Sequence, residues 1–457
     1  MSVKKNDLIS LTITSLSSDG NGVGRYENQA VFVPATAPGD VIQARIVKDF
    51  KTYAFGIVER IEQPSPDRIP VDCAAAAPCG GCCFRHLDYT AELAAKKEFV
   101  TNAFTRLGGL ELPIADTLAS PQEDRYRNKA QFPVGKGPDG RCCTGFYANR
   151  THRIVSCDDC KLQPSVFNQI AAALCEGFDR YQIPPYEEST QKGLIRHIFL
   201  REGAHSGQIL LCLVGASKKA PPLKPLLDNL IAQFPAIRTV VWNVNTRNTN
   251  VILGQENIVL YGPGYIEDTL CGVPIQLGPM SFYQVNTPAA ELLYRTAAQL
   301  AQLRPTDHVL DLYCGMGTIG LSLVHQCQEL IGVEIVPEAI AAAKENAARM
   351  GADVAARSRF LCADAGQAAQ QLAGEGLHPD VIFVDPPRKG CDQNTLDAVC
   401  QMAPRTVAMI SCNAATAARD AKYLSEHGYR PGEVHPVDLF PRTKHVECVL
   451  IFTREAE

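Results

Sequence analysis

The sequence predicts an α/β protein: a doubly wound, Rossmann-like parallel sheet at the C-terminal end, preceded by a small β-barrel and an α+β region. Three observations carry this reading. From about Pro305, apolar runs (H-V-L-D-L-Y, L-I-G-V-E, R-F-L-C-A-D, V-I-F-V-D, T-V-A-M-I-S-C) alternate with helical stretches. From Asp7 to Ile61, short runs alternate apolar with polar residues between the turn clusters S-S-D-G-N-G and A-P-G-D. The stretch between these two regions mixes strands such as H-I-F-L-R-E and Q-I-L-L-C-L-V-G with a helix around Val166 to Phe178. The chain of 457 residues suits two or three domains of roughly 150 residues each, expected at 1–62, 63–275 and 276–457.

Lys plus Arg number 44 and Asp plus Glu 49, a net charge of −5 that excludes a protein living on bulk attraction to nucleic acid. An RNA partner would have to meet a local basic face. No apolar run reaches the length of about 18 residues that a membrane span needs; the best candidate, Val309 to Val324, is broken by Asp311 and three glycines. The N-terminal M-S-V-K-K-N-D-L has no apolar leader segment, so a cytoplasmic protein, expected to be monomeric, is inferred. Eighteen cysteines in a reducing compartment are buried thiols, metal ligands or catalysts.

The barrel of about five strands ends at a Pro-rich linker, Gln63 to Pro70. This segment resembles a TRAM domain, an OB-like barrel of RNA-modifying enzymes, and the resemblance implies RNA binding.

Beyond the linker, Cys73, Cys79 and Cys82 form C-x5-C-x2-C, and Cys157 and Cys160 a later C-x2-C. Four thiolates from two loops can hold zinc or an iron–sulfur cluster. Three ligands in the first group leave one to be supplied, which favours a cubane cluster with Cys160 as fourth ligand. The first gap is longer than the C-x3-C-x2-C of radical S-adenosylmethionine enzymes. A helix is expected from Tyr89 to Leu107, ending at Gly108-Gly109, within a helical region of about 89–124 that packs on the catalytic domain. In R-Y-R-N-K-A-Q-F, Arg125, Arg127 and Lys129 alternate, and strand geometry would put them on one face for phosphate contact, with Tyr126 on the other.

In the C-terminal region, Gly315, Gly317 and Gly320 form G-x-G-x-x-G after a buried strand, a turn that lets backbone N–H groups approach a dinucleotide or S-adenosylmethionine. Glu334 ends the next strand and could accept both ribose hydroxyls of an adenosine; Asp364 ends the third and suits the adenine amino group. The D-P-P-R-K-G loop, Asp385 to Gly390, follows the fourth strand. A rigid exposed Asp-Pro-Pro loop there is the place from which a nucleobase methyltransferase addresses substrate and donor, and a dehydrogenase has no comparable use for it.

The fifth strand delivers Cys412, and Glu447 opens the last. Carbon 5 of uracil is too weak a nucleophile to take a methyl group unaided; a thiolate adding to carbon 6 makes it an enolate that can. Carbon 5 must then lose its proton, which requires a base such as Glu447.

The motifs S-C-N, D-P-P-R, D-L-Y-C-G-M-G, H-V-E-C-V and S-F-Y-Q-V-N (Ser281 to Asn286) resemble those of the RNA uracil-C5 methyltransferase family. The resemblance implies a class I S-adenosylmethionine methyltransferase domain in which Gln284, Tyr313, Glu334 and Asp385 bind the donor. It also implies that Phe282 lies near the flipped uracil, that Cys412 is the nucleophile and Glu447 the proton acceptor, and that a [4Fe-4S] cluster is held with Cys160 as its fourth ligand. Ala414 stands where family members usually have proline, which would stiffen the loop behind the nucleophile. The expected substrate is 23S ribosomal RNA; the alternatives are uracil-54 of tRNA and an RNA-binding protein of the same fold without catalysis.

Overall fold

The computed structural model describes residues 3–149 and 151–455. Strands β1 (Leu8–Leu16), β2 (Asn21–Tyr26), β3 (Gln29–Pro34), β4 (Val41–Asp49) and β5 (Tyr53–Gln63) close into a barrel of order β1-β2-β3-β5-β4. Its strands bury every second side chain, so Ile9, Leu11, Ile13, Val31, Val33, Ile42, Ala44, Ile46 and Ala54 fill the interior. The stretch after β5 is tied back to the barrel: Arg68 makes a bidentate pair with the buried Asp40 at 2.7 Å.

Helix α1 (Ala76–Cys79) carries part of the cysteine cluster, and α2 (Tyr89–Asn102) runs into a wider π-type turn, Ala103–Gly108. The helix therefore stops well short of 124. Gly109 is left-handed (φ 67°), a conformation that ends helices, and the chain beyond runs extended alongside a C-terminal strand through bridges Ile114↔Val434 and Leu118↔Val437.

The central sheet holds β6 (Lys129–Lys136), β7 (Cys142–Tyr147), β8 (Ile154–Ser156), β9 (Ile195–Glu202), β10 (Ile209–Gly215), β11 (Ile237–Val244) and β12 (Glu256–Tyr261), in the order β12-β11-β10-β9-β6-β7-β8. Helices α3 (Ser165–Arg180) and α4 (Lys224–Gln233) cover one face. Phe199, Leu210, Cys212, Val214 and Val241 on the other face join the apolar core of the C-terminal domain. The hairpin β13 (Ile266–Leu270) and β14 (Val273–Leu277) is buried in that same core.

The C-terminal sheet comprises β15 (His308–Leu312), β16 (Glu329–Glu334), β17 (Ser358–Cys362), β18 (Val381–Val384), β19 (Thr406–Ser411), β20 (Tyr429–Val437) and β21 (Glu447–Arg454). Its order, β17-β16-β15-β18-β19-β21-β20, is parallel through β19 and antiparallel at β21 and β20. Helices α5 (Thr287–Ala301), α6 (Thr318–Leu323), α7 (Pro337–Met350), α8 (Ala352–Arg357), α9 (Ala365–Gly374), α10 (Gln393–Met402) and α11 (Ala414–Glu426) flank it. The strand order reverses between β15 and β18, so the crevice beyond their carboxyl ends is where such a sheet binds ligands. Among the described residues, no helix is long and apolar enough to cross a membrane.

Candidate active site

The crevice is built first by the turn after β15. Gly315 (φ 54°) and Gly317 (φ 75°) are left-handed, and Tyr313 takes the same region (φ 66°) at a steric cost. Its hydroxyl shares a hydrogen bond with Thr395 Oγ1 at 3.1 Å. Glu334 at the end of β16 accepts the Gly315 N–H at 3.2 Å and the Val336 N–H at 2.9 Å. Asp364 lies two residues past β17 and caps α9 by accepting the Gln367 N–H.

Asp311 is the residue that sequence reasoning passed over. It is fully buried in β15, its Oδ2 accepts the Gly320 N–H at 2.9 Å, and its Oδ1 has no partner. A lone carboxylate inside the apolar strand preceding a glycine turn was the available signal. Burial, with Asp385 and Glu334 nearby, pushes Asp311 up to about 7 despite the Gly320 N–H. Burial likewise pushes Asp385 up to about 7. Among the described residues, no Lys or Arg pairs with Asp311, Glu334 or Asp385. Three carboxylates without a counter-ion fit a ligand bearing positive charge, as S-adenosylmethionine does at its sulfonium and ammonium groups. They would repel the pyrophosphate of a dinucleotide.

Ser411 pairs with Cys448 in the β19–β21 ladder, so the next position outward sets Cys412 beside Glu447. Burial, then the charges of Glu447 and Asp385, push the Cys412 thiol up to about 11, opposed by Arg388. Burial, then Asp385, push Glu447 up to about 8, again opposed by Arg388. The loop behind Cys412 is tied without proline. Asn413 accepts the Ala415 N–H at the start of α11 and donates to the Arg388 carbonyl at 3.0 Å, joining the S-C-N and D-P-P-R loops.

The S-F-Y-Q segment alternates. Tyr283 is buried and donates to Asp268, while Phe282 is 76% exposed. The buried Arg201 of β9 donates to the carbonyls of Gly278 and Ser281 at 2.8 and 2.7 Å, and Asn128 donates to the Gln284 carbonyl at 2.7 Å. The Gln284 amide reaches the buried Tyr294 hydroxyl at 3.4 Å, and that hydroxyl lies within the field of Asp385 and Glu447.

The segment feeding Glu447 is held from α2. Lys96, fully buried, donates to Glu92 and Asp438 at 2.7 Å each and to the Phe440 carbonyl at 3.2 Å. Tyr126 donates to the Pro441 carbonyl, and the left-handed Arg442 (φ 67°) donates to the Leu87 carbonyl and to Glu123.

The basic row differs from expectation. The strand begins only at Lys129, and Arg125 is left-handed (φ 56°). Arg125 donates to the carbonyls of Cys160 and Gln163 and pairs with Asp159, so it straps the cysteine loop. The alternation survives only in burial: Tyr126, Asn128 and Ala130 are buried, while Arg125, Arg127 and Lys129 are half-buried. Burial, with Arg201 and Arg127 close by, holds the Lys129 ammonium below its usual range.

The cysteines converge. Burial, then Cys160, Cys79 and Cys73, push the Cys82 thiol up to about 12. Cys160 is lowered by a hydrogen bond from Cys157, by the N–H groups of Leu162 and Gln163, and by Arg127. Among the described residues, no three His, Cys, Asp or Glu side chains close on a single metal ion.

Residues 275–455 match the family described as tRNA (Uracil-5-)-methyltransferase, and residues 3–58 match the TRAM domain. An uncharacterized RNA methyltransferase of Halalkalibacterium halodurans is 38% identical over 98% of this chain and 97% of its own length. One of Clostridium tetani is 38% identical over 99% of this chain and 97% of its own. The crystal structure of Pyrococcus abyssi tRNA (uracil-54, C5)-methyltransferase with S-adenosyl-L-homocysteine matches with a TM-score of 0.77 at 24% identity. That match covers 97% of this chain and 100% of that one, a likeness of fold.

Proposed function

This chain belongs to the RNA methyltransferase family of those relatives and carries a tRNA (uracil-5-)-methyltransferase domain behind a TRAM domain; on that premise we propose that it methylates carbon 5 of a uracil in 23S ribosomal RNA through a covalent adduct. The observation that carries the reading is the side-by-side placement of Cys412 and Glu447 at the mouth of a carboxylate-lined crevice. Gln284, Tyr313, Gly315, Glu334, Asp364 and Asp385 would hold S-adenosylmethionine, which when bound supplies an electrophilic methyl carbon. The Cys412 thiolate, which burial disfavours and Arg388 helps to hold, adds to carbon 6 and makes carbon 5 nucleophilic. Carbon 5 would take the methyl group as the donor's sulfur–methyl bond breaks and S-adenosylhomocysteine leaves, and Glu447 would remove the carbon 5 proton. The sulfur–carbon bond then breaks, restoring the thiolate and the ring double bond. Phe282, the most exposed large apolar residue here, would stack on the unstacked uracil, and Arg127 and Lys129 would meet its phosphates.

Cys73, Cys79, Cys82 and Cys160 would hold a [4Fe-4S] cluster, whose thiolates stand farther apart than those around one ion. The N–H groups and Arg127 that lower Cys160 suit a thiolate ligand, and all four ligands taken leaves a structural cluster. A second reading, uracil-54 of tRNA, is favoured by the family description and by the solved tRNA enzyme that shares the whole architecture. One experiment separates the readings. The protein is incubated with labelled donor and 5-fluorouracil-substituted 23S rRNA or tRNA, where a covalent adduct is expected with one RNA and none in Cys412→Ala. No adduct with either RNA, or an adduct that survives Cys412→Ala, overturns the mechanism, and an adduct with tRNA alone moves the substrate.

A further inference from the structure

One buried hydroxyl joins the segments that build the crevice. Helix α5 is fixed at its start by Asn286, which accepts the Ala289 N–H and donates to Ser120 Oγ at 3.1 Å and to the Leu439 carbonyl at 3.0 Å. The helix packs on β19 and β21, the strands that deliver Cys412 and Glu447. Tyr294 lies two turns into it and is 5% exposed, its ring within the apolar core that Ile410 of β19 and Val449 of β21 also line.

The Tyr294 hydroxyl accepts the Gln284 Nε2–H at 3.4 Å and bonds to Thr318, which opens α6 directly after the glycine turn. Asp385 and Glu447 act on it through their charge. A single oxygen therefore meets the S-F-Y-Q segment and the glycine turn within the field of the D-P-P loop and β21. Burial, then Asp385, push the phenol above its usual range. It is thus a neutral hydroxyl at any working pH, with one proton and two lone pairs. The two carboxyl groups attract that proton and leave a lone pair to face Gln284.

The consequence falls on Gln284. An amide carries NH2 at one end and a carbonyl oxygen at the other, and a half turn exchanges them. Asn128 anchors the backbone of Gln284, yet among the described residues no donor reaches its Oε1. The Tyr294 hydroxyl is what sets the end left for a ligand. With NH2 on the hydroxyl, that end is the carbonyl oxygen. A methyl group on a sulfonium carries positive charge on its hydrogens, so a carbonyl oxygen attracts it and an NH2 repels it. S-adenosylhomocysteine, a neutral thioether, lacks that methyl group and that charge.

We propose that Tyr294 is a positioning residue for the methyl donor: its hydroxyl holds the Gln284 amide with the carbonyl oxygen turned to the sulfonium methyl group, so that the site tells the donor from its demethylated product. The inference rests on the reading that Gln284 contacts S-adenosylmethionine, and not on the chemistry at Cys412.

The test is calorimetric titration of the full chain with S-adenosylmethionine and, separately, with S-adenosylhomocysteine, both without RNA. Tyr294→Phe keeps the ring in the core and removes only the hydroxyl. It should lower the ratio of donor affinity to product affinity about fivefold, the scale of one weak hydrogen bond. Gln284→Ala should lower the ratio at least as far, and adding Tyr294→Phe to it should lower the ratio no further, because the hydroxyl acts through the amide. Equal weakening of both ligands in Tyr294→Phe would mark a merely structural hydroxyl and overturns the proposal, as does a ratio indistinguishable from the parent's. A further fall in the double variant means that the hydroxyl acts independently of Gln284, and a ratio unmoved by Gln284→Ala means that the amide does not face the methyl group; either overturns it. A parent that binds neither ligand refutes the donor site and this proposal together, whereas a parent that binds both but forms no 5-fluorouracil adduct refutes the uracil chemistry alone.

Discussion

Ser411 and Cys448 face each other across β19 and β21, with the Cys448 thiol donating to the Ser411 carbonyl at 3.7 Å. This antiparallel pairing converts two positions distant in the chain, Cys412 and Glu447, into neighbours at the carboxyl end of an otherwise parallel sheet. A parallel fifth neighbour would have brought its own carboxyl end there; the reversed strand brings its first residue. In the proposed reaction the arrangement would supply a nucleophile and a base from opposite strand termini.

Replacing Cys412 by Ala should abolish both methyl transfer and the 5-fluorouracil adduct. Glu447→Gln should still form the adduct with unsubstituted RNA but release methylated product slowly, because proton removal, not addition, is what it loses. Denaturing gels of the labelled RNA check both.

Activity should rise with pH through about 8. Glu447, raised by burial and Asp385, must be ionised to accept a proton, so kcat/KM gains as the carboxyl deprotonates. Stability moves the opposite way. A carboxyl with a folded pKa above its unfolded value contributes stability that is present below about 4.5 and lost as pH rises through about 8. Glu447→Gln should remove the change near 8 from both profiles and leave the rate the further rise that ionisation of the Cys412 thiol, about 11, brings; initial rates and urea midpoints read the two.

Asp385→Asn and Asp311→Asn should each weaken S-adenosylmethionine binding roughly ten- to a hundredfold, the scale of one charge-assisted contact worth about 1.5–3 kcal/mol. A cationic ligand lowers the pKa of both carboxyls, now about 7. Donor binding at a pH of about 6.5 should therefore release protons, seen by calorimetry in buffers of different ionisation enthalpy, and each variant should release fewer.

Lys96→Met should destabilise the protein by about 3–5 kcal/mol, because Asp438 would remain buried without its cation and Glu92 would keep only Arg442, 3.9 Å away. Lys96→Arg should recover part of the loss. Equilibrium unfolding in urea measures both, and the segment it anchors, Asp438 to Arg442, leads directly into Glu447.

Anaerobically purified protein should contain about four irons per chain. Cys160→Ser should lose them, and Cys157→Ser should keep them, since Cys157 is outside the proposed ligand set of Cys73, Cys79, Cys82 and Cys160. Iron analysis and the visible spectrum decide, and a colourless zinc protein would refute the cluster.

Motifs that act locally were legible in the chain. The glycine turn after β15 is set by its own backbone, and Glu334 and Asp364 stand at or just past strand ends that periodicity alone locates. Arg125 was misread because alternation cannot reveal a left-handed residue, and the strand begins four residues later than the pattern suggested. The helix from Tyr89 to its end at Gly108-Gly109 is legible in the sequence, whereas the helical region expected to about 124 is not, since the course of the chain beyond Gly109 is decided by pairing with β20, far away in sequence.

The sequence by itself determined the order of elements, the glycine turn, the Asp-Pro-Pro loop and the residue types available for chemistry, because each depends on neighbours within a few positions. Only the tertiary structure decided that Glu447 stands beside Cys412, that Asp311 joins Glu334 and Asp385 without a counter-ion, and that the Tyr294 hydroxyl meets the Gln284 amide. The reason is physical. Strand register, desolvation and side-chain packing arise between segments that meet only when the chain is folded.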